Sequence, residues 1–200
     1  MKSIVFWILP LTCALCFGAF AQSGGNRKPA HFTDTRNGQK YHTTKIGKKT
    51  WLAENLNYAI GNSMCYDNSP PSCAKYGRLY TWEEAVRACP VGWRLPNNDD
   101  WQNLVQIAGD EAVAGGKLKS KTGWSENGNG TDEFGFSAMP GGYRNPDGKF
   151  YSAGYYGTWW SATEYDANIA YSRYALYYGE GVVWLDNYKS YLFSVRCVRE

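Results

Sequence analysis

The stretch Thr81-Trp82-Glu83-Glu84-Ala85-Val86-Arg87-Ala88-Cys89-Pro90 decides how the chain is put together. Thr81 and Glu84 make a T-x-x-E capping box, in which each side chain satisfies a backbone N–H left open at a helix start. Trp82, Ala85, Val86 and Cys89 recur at helical spacing on one apolar face, and Pro90 ends the run. The reading is a short helix with Cys89 turned inward. Just downstream, Pro96-Asn97 opens a second predicted helix, with Asn97 as its cap and Trp101, Leu104, Val105 and Ala108 inward. Gly109 suits its C-terminal cap. At the far end, Phe193, Val195 and Cys197 alternate with Ser194, Arg196 and Val198, a strand pattern that sets Cys197 on the core face. A core strand there can meet Cys89.

Working outward, residues 33–53 read as strands. Asn37-Gly38 is a hairpin turn signal, residues 41–46 are rich in β-formers, and Gly47 punctuates before Thr50-Trp51-Leu52. Residues 62–76 read as a Pro/Ser/Asn loop. Residues 123–157 are rich in Gly, Asn and aromatics with no period of their own, a long loop of the kind that is functional or packed on itself. Strands return over 169–178, 182–185 and 191–198, with Gly179-Glu180-Gly181 as a turn. No internal repeat is visible, and the length suits one domain.

The N-terminus carries an address. Lys2 precedes a mostly apolar stretch over 4–20 that ends in Ala19-Phe20-Ala21, the small-x-small pattern of a signal peptidase site. The expected division is a signal peptide over 1–21, a flexible leader over 22–30 and one domain over 31–200. A retained anchor is the alternative, but no stop-transfer pattern follows. Lipidation at Cys13 or Cys16 is weaker, because Thr12 and Leu15 precede them where a small residue is wanted. After the leader no apolar segment is long enough to span a bilayer.

If Cys13 and Cys16 leave with the signal, Cys65, Cys73, Cys89 and Cys197 remain. An even count in an exported chain reads as a disulfide framework, with three possible connectivities. Locality favours Cys65–Cys73, closing a small loop around Pro70-Pro71, which leaves Cys89–Cys197. Zinc is the competing use, but there is no CxxC spacing and no neighbouring His. The formal net charge is +3 and no Lys/Arg run is long enough for a nucleic-acid footprint.

Two helices after N-terminal strands, a long irregular loop, a terminal hairpin and a helix-to-last-strand bridge resemble the C-type lectin-like fold, an α+β arrangement of two helices packed on small antiparallel sheets. More closely, the chain is similar to the Fibrobacter succinogenes major paralogous domain. The shared stretches include Thr50-Trp51-Leu52-Ala53-Glu54-Asn55-Leu56-Asn57-Tyr58, Tyr76-Gly77-Arg78-Leu79-Tyr80-Thr81-Trp82, Pro140-Gly141-Gly142-Tyr143-Arg144, Trp159-Trp160-Ser161-Ala162-Thr163-Glu164 and Ser194-Val195-Arg196-Cys197-Val198. The resemblance implies an exported or surface-associated bacterial protein. Calcium-dependent sugar-binding lectins of this fold carry Glu-Pro-Asn or Gln-Pro-Asp followed by Trp-Asn-Asp; none of these occurs here.

About half of the aromatic residues lie between Tyr143 and Phe193. Tyr143, Tyr151, Tyr155 and Tyr156 are the candidate ligand-binding residues, because aromatic faces offer large, rigid, amphipathic area to sugar rings or peptides. The competing use is self-packing of the loop, which is the expectation for Trp159 and Trp160; Trp82, Trp93 and Trp101 read as core. Asn127, Asn129, Asp132 and Glu133 offer oxygen atoms to a structural calcium, though no twelve-residue calcium loop is present. Candidate acids for glycoside hydrolysis are Asp99, Asp100, Asp132, Glu133, Glu164 and Asp166, and their spacing across a cleft is not set by sequence. His31 and His42 are the two residues that titrate near neutrality without help. No nucleophile motif is present, and the reactive cysteine pair of formylglycine-generating enzymes of the same fold has no counterpart if all four cysteines are bridged. The expectation is a non-catalytic, cofactor-free recognition module for glycan or a cell-surface protein. A structural component of the cell envelope and a carbohydrate-active enzyme are the alternatives.

Overall fold

The computed structural model describes residues 30–200; the signal peptide expected over 1–21 and all but the last residue of the leader expected over 22–30 lie outside the described residues. Strands β1 (Ala30–Thr33) and β2 (Lys40–Ile46) form the expected hairpin, pairing from Ala30 with Thr43 to Thr33 with Lys40. Its turn is built by the buried Asp34, whose carboxylate accepts from the backbone and guanidinium of Arg36, and by Gly38 at φ +75°. A two-residue turn with Gly47 at φ +59° leads into β3 (Lys49–Leu52). The last strand, β11 (Val198–Arg199), pairs with β3, giving a four-stranded sheet in the order β1-β2-β3-β11. The last strand therefore forms the edge opposite β1.

A second sheet runs in the order β4-β10-β7-β8-β9, from β4 (Leu79–Tyr80), β10 (Phe193–Ser194), β7 (Tyr156–Glu164), β8 (Ile169–Leu176) and β9 (Val183–Tyr188). All its pairs are antiparallel except β10 with β7. The terminal segment 191–198 is thus not one strand: it is divided between the two sheets. Nor does it alternate between core and solvent, since Phe193 through Val198 are all buried. Phe193, Val195 and Cys197 enter one apolar cluster and Val198 the other. A segment wedged between two cores has no solvent face to reveal in its pattern.

Helix α2 (Trp82–Ala88) carries the full capping box expected at Thr81 and Glu84. Its buried arc is Trp82, Ala85 and Ala88, with Glu84 drawn in on one edge by its bonds to the Thr81 and Asn62 backbone N–H groups. Val86 lies just past the other edge and is exposed, against expectation. Cys89 caps the helix and bonds to Cys197, with the Cα atoms 5.8 Å apart; Cys65 bonds to Cys73. The loop expected over 62–76 contains a one-turn 3-10 helix (Tyr66–Asn68) and helix α1 (Pro70–Tyr76), where two prolines occupy the first turn, a position in which their missing N–H costs nothing. Helix α3 (Asn98–Ala108) buries Trp101, Leu104, Val105 and Ala108 as expected and ends at Gly109. A further short helix, α4 (Ala114–Leu118), follows. Among the described residues no helix is long and apolar enough to cross a membrane.

Trp159 and Trp160 show how the two cores are organised. As neighbours on β7 they point to opposite faces of the sheet, one into each apolar cluster. Both are fully buried, and each indole N–H has an acceptor, Asn55 Oδ1 at 2.9 Å and the Tyr80 carbonyl at 2.8 Å. Trp82 and Trp101 likewise donate to the carbonyls of Ser161 and Trp160.

Asp100 ties α3 to the end of the chain. It accepts from the Asn97 backbone N–H, completing that capping box, and pairs with both terminal nitrogens of Arg94. Burial alone would push its carboxyl up, but the bonds from Arg94 and Asn97 outweigh that and hold it below the usual carboxylate range. A depressed carboxyl contributes stability that is present above the unfolded value of about 3.9 and is lost as pH falls through the folded value. Asp100→Asn should therefore lower urea stability at pH 7 by about 1.5–3 kcal/mol, discounted for the part-exposed Arg94. The gap to the parent should narrow below pH 4; a gap that persists undiminished at pH 2 would count against this assignment.

Candidate binding site: a tyrosine trough

Within the region expected to be an irregular loop, Tyr143 and Arg144 form β5 and pair with Phe150 and Tyr151 of β6. Tyr143 stands directly opposite Tyr151, so their rings stack, with centroids 5.6 Å apart and planes within 22°. Tyr156, at the start of β7, lies nearly parallel to Tyr143 at 6.3 Å. Tyr174 of β8, paired with Thr158, meets Tyr156 edge-on at 5.5 Å. Tyr191 and Phe193 close the group on the far side of Tyr143, at 6.4 and 6.2 Å. All of these but Tyr151 line a trough of about 330 Å³ across the face of the second sheet, with Leu185, Asn145, Thr158 and Asn187 completing its walls.

The trough has a definite polarity. None of its lining side chains is charged at neutral pH. Burial pushes the Tyr143 hydroxyl up, and burial with neighbouring tyrosines pushes that of Tyr174 up to about 12, so both stay protonated. Asn187 donates to Ser172 Oγ at 2.9 Å. The side-chain oxygen of Asn145 is buried and has no hydrogen-bond partner.

The hairpin wall is braced from outside. Arg144 and Leu192 exchange backbone hydrogen bonds at 3.1 and 3.0 Å. Gly142, at φ +65°, donates to the Tyr156 carbonyl, and a Cβ there would fall within 2.4 Å of the Tyr151 carbonyl. Tyr66, beside the Cys65–Cys73 bridge, packs its ring against Phe150 at 5.3 Å. The small disulfide loop is thus a prop for the trough. Opening it with Cys65→Ala/Cys73→Ala should cost about 2.5 kcal/mol on the loop-entropy model. The protein should stay folded while ligand affinity falls several-fold; unchanged affinity would separate the loop from the site.

Of the four candidate tyrosines, Tyr143 and Tyr156 line the trough, and Tyr151 stacks behind Tyr143. Tyr155 does not join them: it is exposed and packs edge-on against Tyr177 at 5.2 Å. Adjacent residues at a strand start face opposite ways, which separates Tyr155 from Tyr156. Asn145, Thr158, Tyr174, Leu185, Asn187, Tyr191 and Phe193 were not legible as site residues. The alternation of Tyr156, Thr158 and Trp160 is the signal that could have placed the first wall, had 156–164 been read as a strand.

The remaining candidates are scattered. Asn129 accepts from the Trp124 backbone N–H, and Asp132 accepts from the N–H and hydroxyl of Ser137. Glu164 pairs with Lys189 at 2.9 Å, and Asp166 caps the turn before β8. His31 and His42 stack at 4.5 Å, and His42 bonds Glu54 through Nδ1 at 2.5 Å. Among the described residues no three His, Cys, Asp or Glu side chains converge as a metal site. A larger depression, about 830 Å³, lies beside β2; it mixes Lys45, Lys75 and Lys121 with Glu54 and Asp132, whose carboxylates are already satisfied by the bonds above and by the His42 backbone N–H.

The sequence profile of the Fibrobacter succinogenes major domain matches residues 44–199. The chain belongs to that family. The match spans every residue of the trough and both disulfides. No curated protein and no solved structure matches the chain.

Proposed function

We propose that this family member is an exported, non-catalytic recognition module of the C-type lectin-like kind, and that its tyrosine trough binds glycan. The observation that carries the reading is the trough itself: half-buried rings and carboxamides around an open concavity, with no carboxylate among its walls. Such a surface suits the apolar faces and hydroxyl edges of sugar rings. A retaining or inverting glycosidase needs two carboxyl groups facing each other across the substrate, which the lining does not offer. Two disulfides and the signal-peptide pattern support export. The placement of α2 and α3 between N-terminal strands and a terminal strand bridged to α2 supports the lectin-like arrangement, by fold analogy.

Binding to a glycan array, followed by affinity measurement for the hits, tests this. Tyr156→Ala and Tyr174→Ala should each weaken binding about 10- to 100-fold, the size expected for a central aromatic contact. Loss of binding with Tyr155→Ala alone, or an array with no hits, would overturn the reading. A second reading, a structural component of the cell envelope, draws on the stacking of Tyr143 with Tyr151 and Tyr156, which gives these rings work within the fold. Capture of an envelope protein that survives Tyr174→Ala, with no glycan bound, would favour it.

A further inference from the structure

Resting on that reading, we infer that the trough selects uncharged saccharides and rejects acidic ones of the same backbone. Two observations lead there. First, none of the lining residues carries a charge, and the charged side chains nearby make contacts of their own or lie outside the lining. Arg144 turns its guanidinium over the Phe150 ring at 5.8 Å, Lys189 is held by Glu164 at 2.9 Å and by the Ala167 carbonyl, and the Asp147 carboxylate accepts from the Lys149 backbone N–H. A carboxylate entering the trough would lose water and find no cation among the lining residues, which is unfavourable by several kcal/mol unless it is paired.

Second, the polar side chains of the lining are hydroxyls and carboxamides, each of which both donates and accepts. A sugar hydroxyl also donates and accepts. It can pair with these groups in either sense, whereas an ionised uronate only accepts and leaves their acceptor oxygens unmatched. The exposed Leu185 at the rim extends the same neutral surface toward the sheet edge at β9.

The experiment pairs uncharged glucans and mannans with their C6-carboxylated forms. Affinities are measured by calorimetry for the disulfide-bonded protein at about 0.02 and 0.5 M salt, where screening differs strongly. The expected result is at least one uncharged polymer that binds with salt-independent affinity and whose carboxylated partner binds at least tenfold more weakly. Leu185→Lys, at an exposed position, should leave the melting temperature unchanged and recover carboxylate binding in a salt-sensitive manner. Equal or tighter binding of a carboxylated form by the parent protein, or affinity for an uncharged polymer that falls with salt, would overturn the selectivity while leaving glycan binding intact. Binding of neither member of any pair would instead defeat the glycan reading, and the selectivity with it.

Discussion

Replacing Arg196 by methionine should remove about 3–5 kcal/mol of folding stability, among the largest effects of any single change in the chain. Arg196 is fully buried and forms no ion pair within the described residues. Its guanidinium instead donates to the carbonyls of Leu52, Phe136 and Ser137 and to Asn55 Oδ1, and it lies over the Phe136 ring at 4.5 Å. These acceptors belong to the first sheet, to the segment that follows it and to the irregular region near 136, so one side chain joins three parts of the chain. Methionine fills similar volume but leaves the acceptors without that donor, each at a cost of roughly 1–3 kcal/mol where water cannot replace it. Arg196→Lys keeps the charge yet cannot span the same set of acceptors, and should lie between the two. Urea unfolding checks this. A methionine variant within 1 kcal/mol of the parent would show that water or local rearrangement satisfies these carbonyls.

The second large effect is expected from Cys89→Ala/Cys197→Ala. The bridge spans a sequence separation of 108, and closure of a loop that long contributes about 4–5 kcal/mol on the chain-entropy model. For a domain of this size that corresponds to a melting temperature lower by about 10–15 °C. Cys197 sits fully buried in the second apolar cluster, so alanine rather than serine is the proper replacement; a hydroxyl there would add an unsatisfied polar group. The Cys65–Cys73 loop has a sequence separation of 8, and its removal should cost less stability and more affinity. Similar melting temperatures for the two double variants would show that the long bridge does not anchor the terminal segment as argued.

What could be read beforehand was governed by local chemistry. The capping box at Thr81, the cap at Asn97, the turn glycines at 38 and 47 and the Cys65–Cys73 bridge rest on short-range bonding rules, with Cys89–Cys197 following as the remaining pair, and each is present. The apolar face of α3 was legible because it is about three turns of clear period; α2, barely two turns long, misled at Val86 because its cap draws Glu84 inward. Helix α1 hid behind Pro70-Pro71, a breaker inside a helix but acceptable at its first turn. The trough was half legible. Tyr143 and Tyr156 stood out by composition, but Tyr174, Asn187 and Phe193 reach the site through pairing between β7, β8, β9 and β10, and long-range register leaves no local trace.

The central claim is that ligand sits on the tyrosine face of the second sheet. Titrating isotope-labelled protein with the tightest-binding glycan of the array and following amide shifts by NMR tests it most directly. The side-chain amides of Asn145 and Asn187 and the backbone amides of Thr158 and Tyr174 should move first and saturate together. Shifts centred instead on Lys45, Lys75 and Asp132, around the larger depression beside β2, would contradict the account.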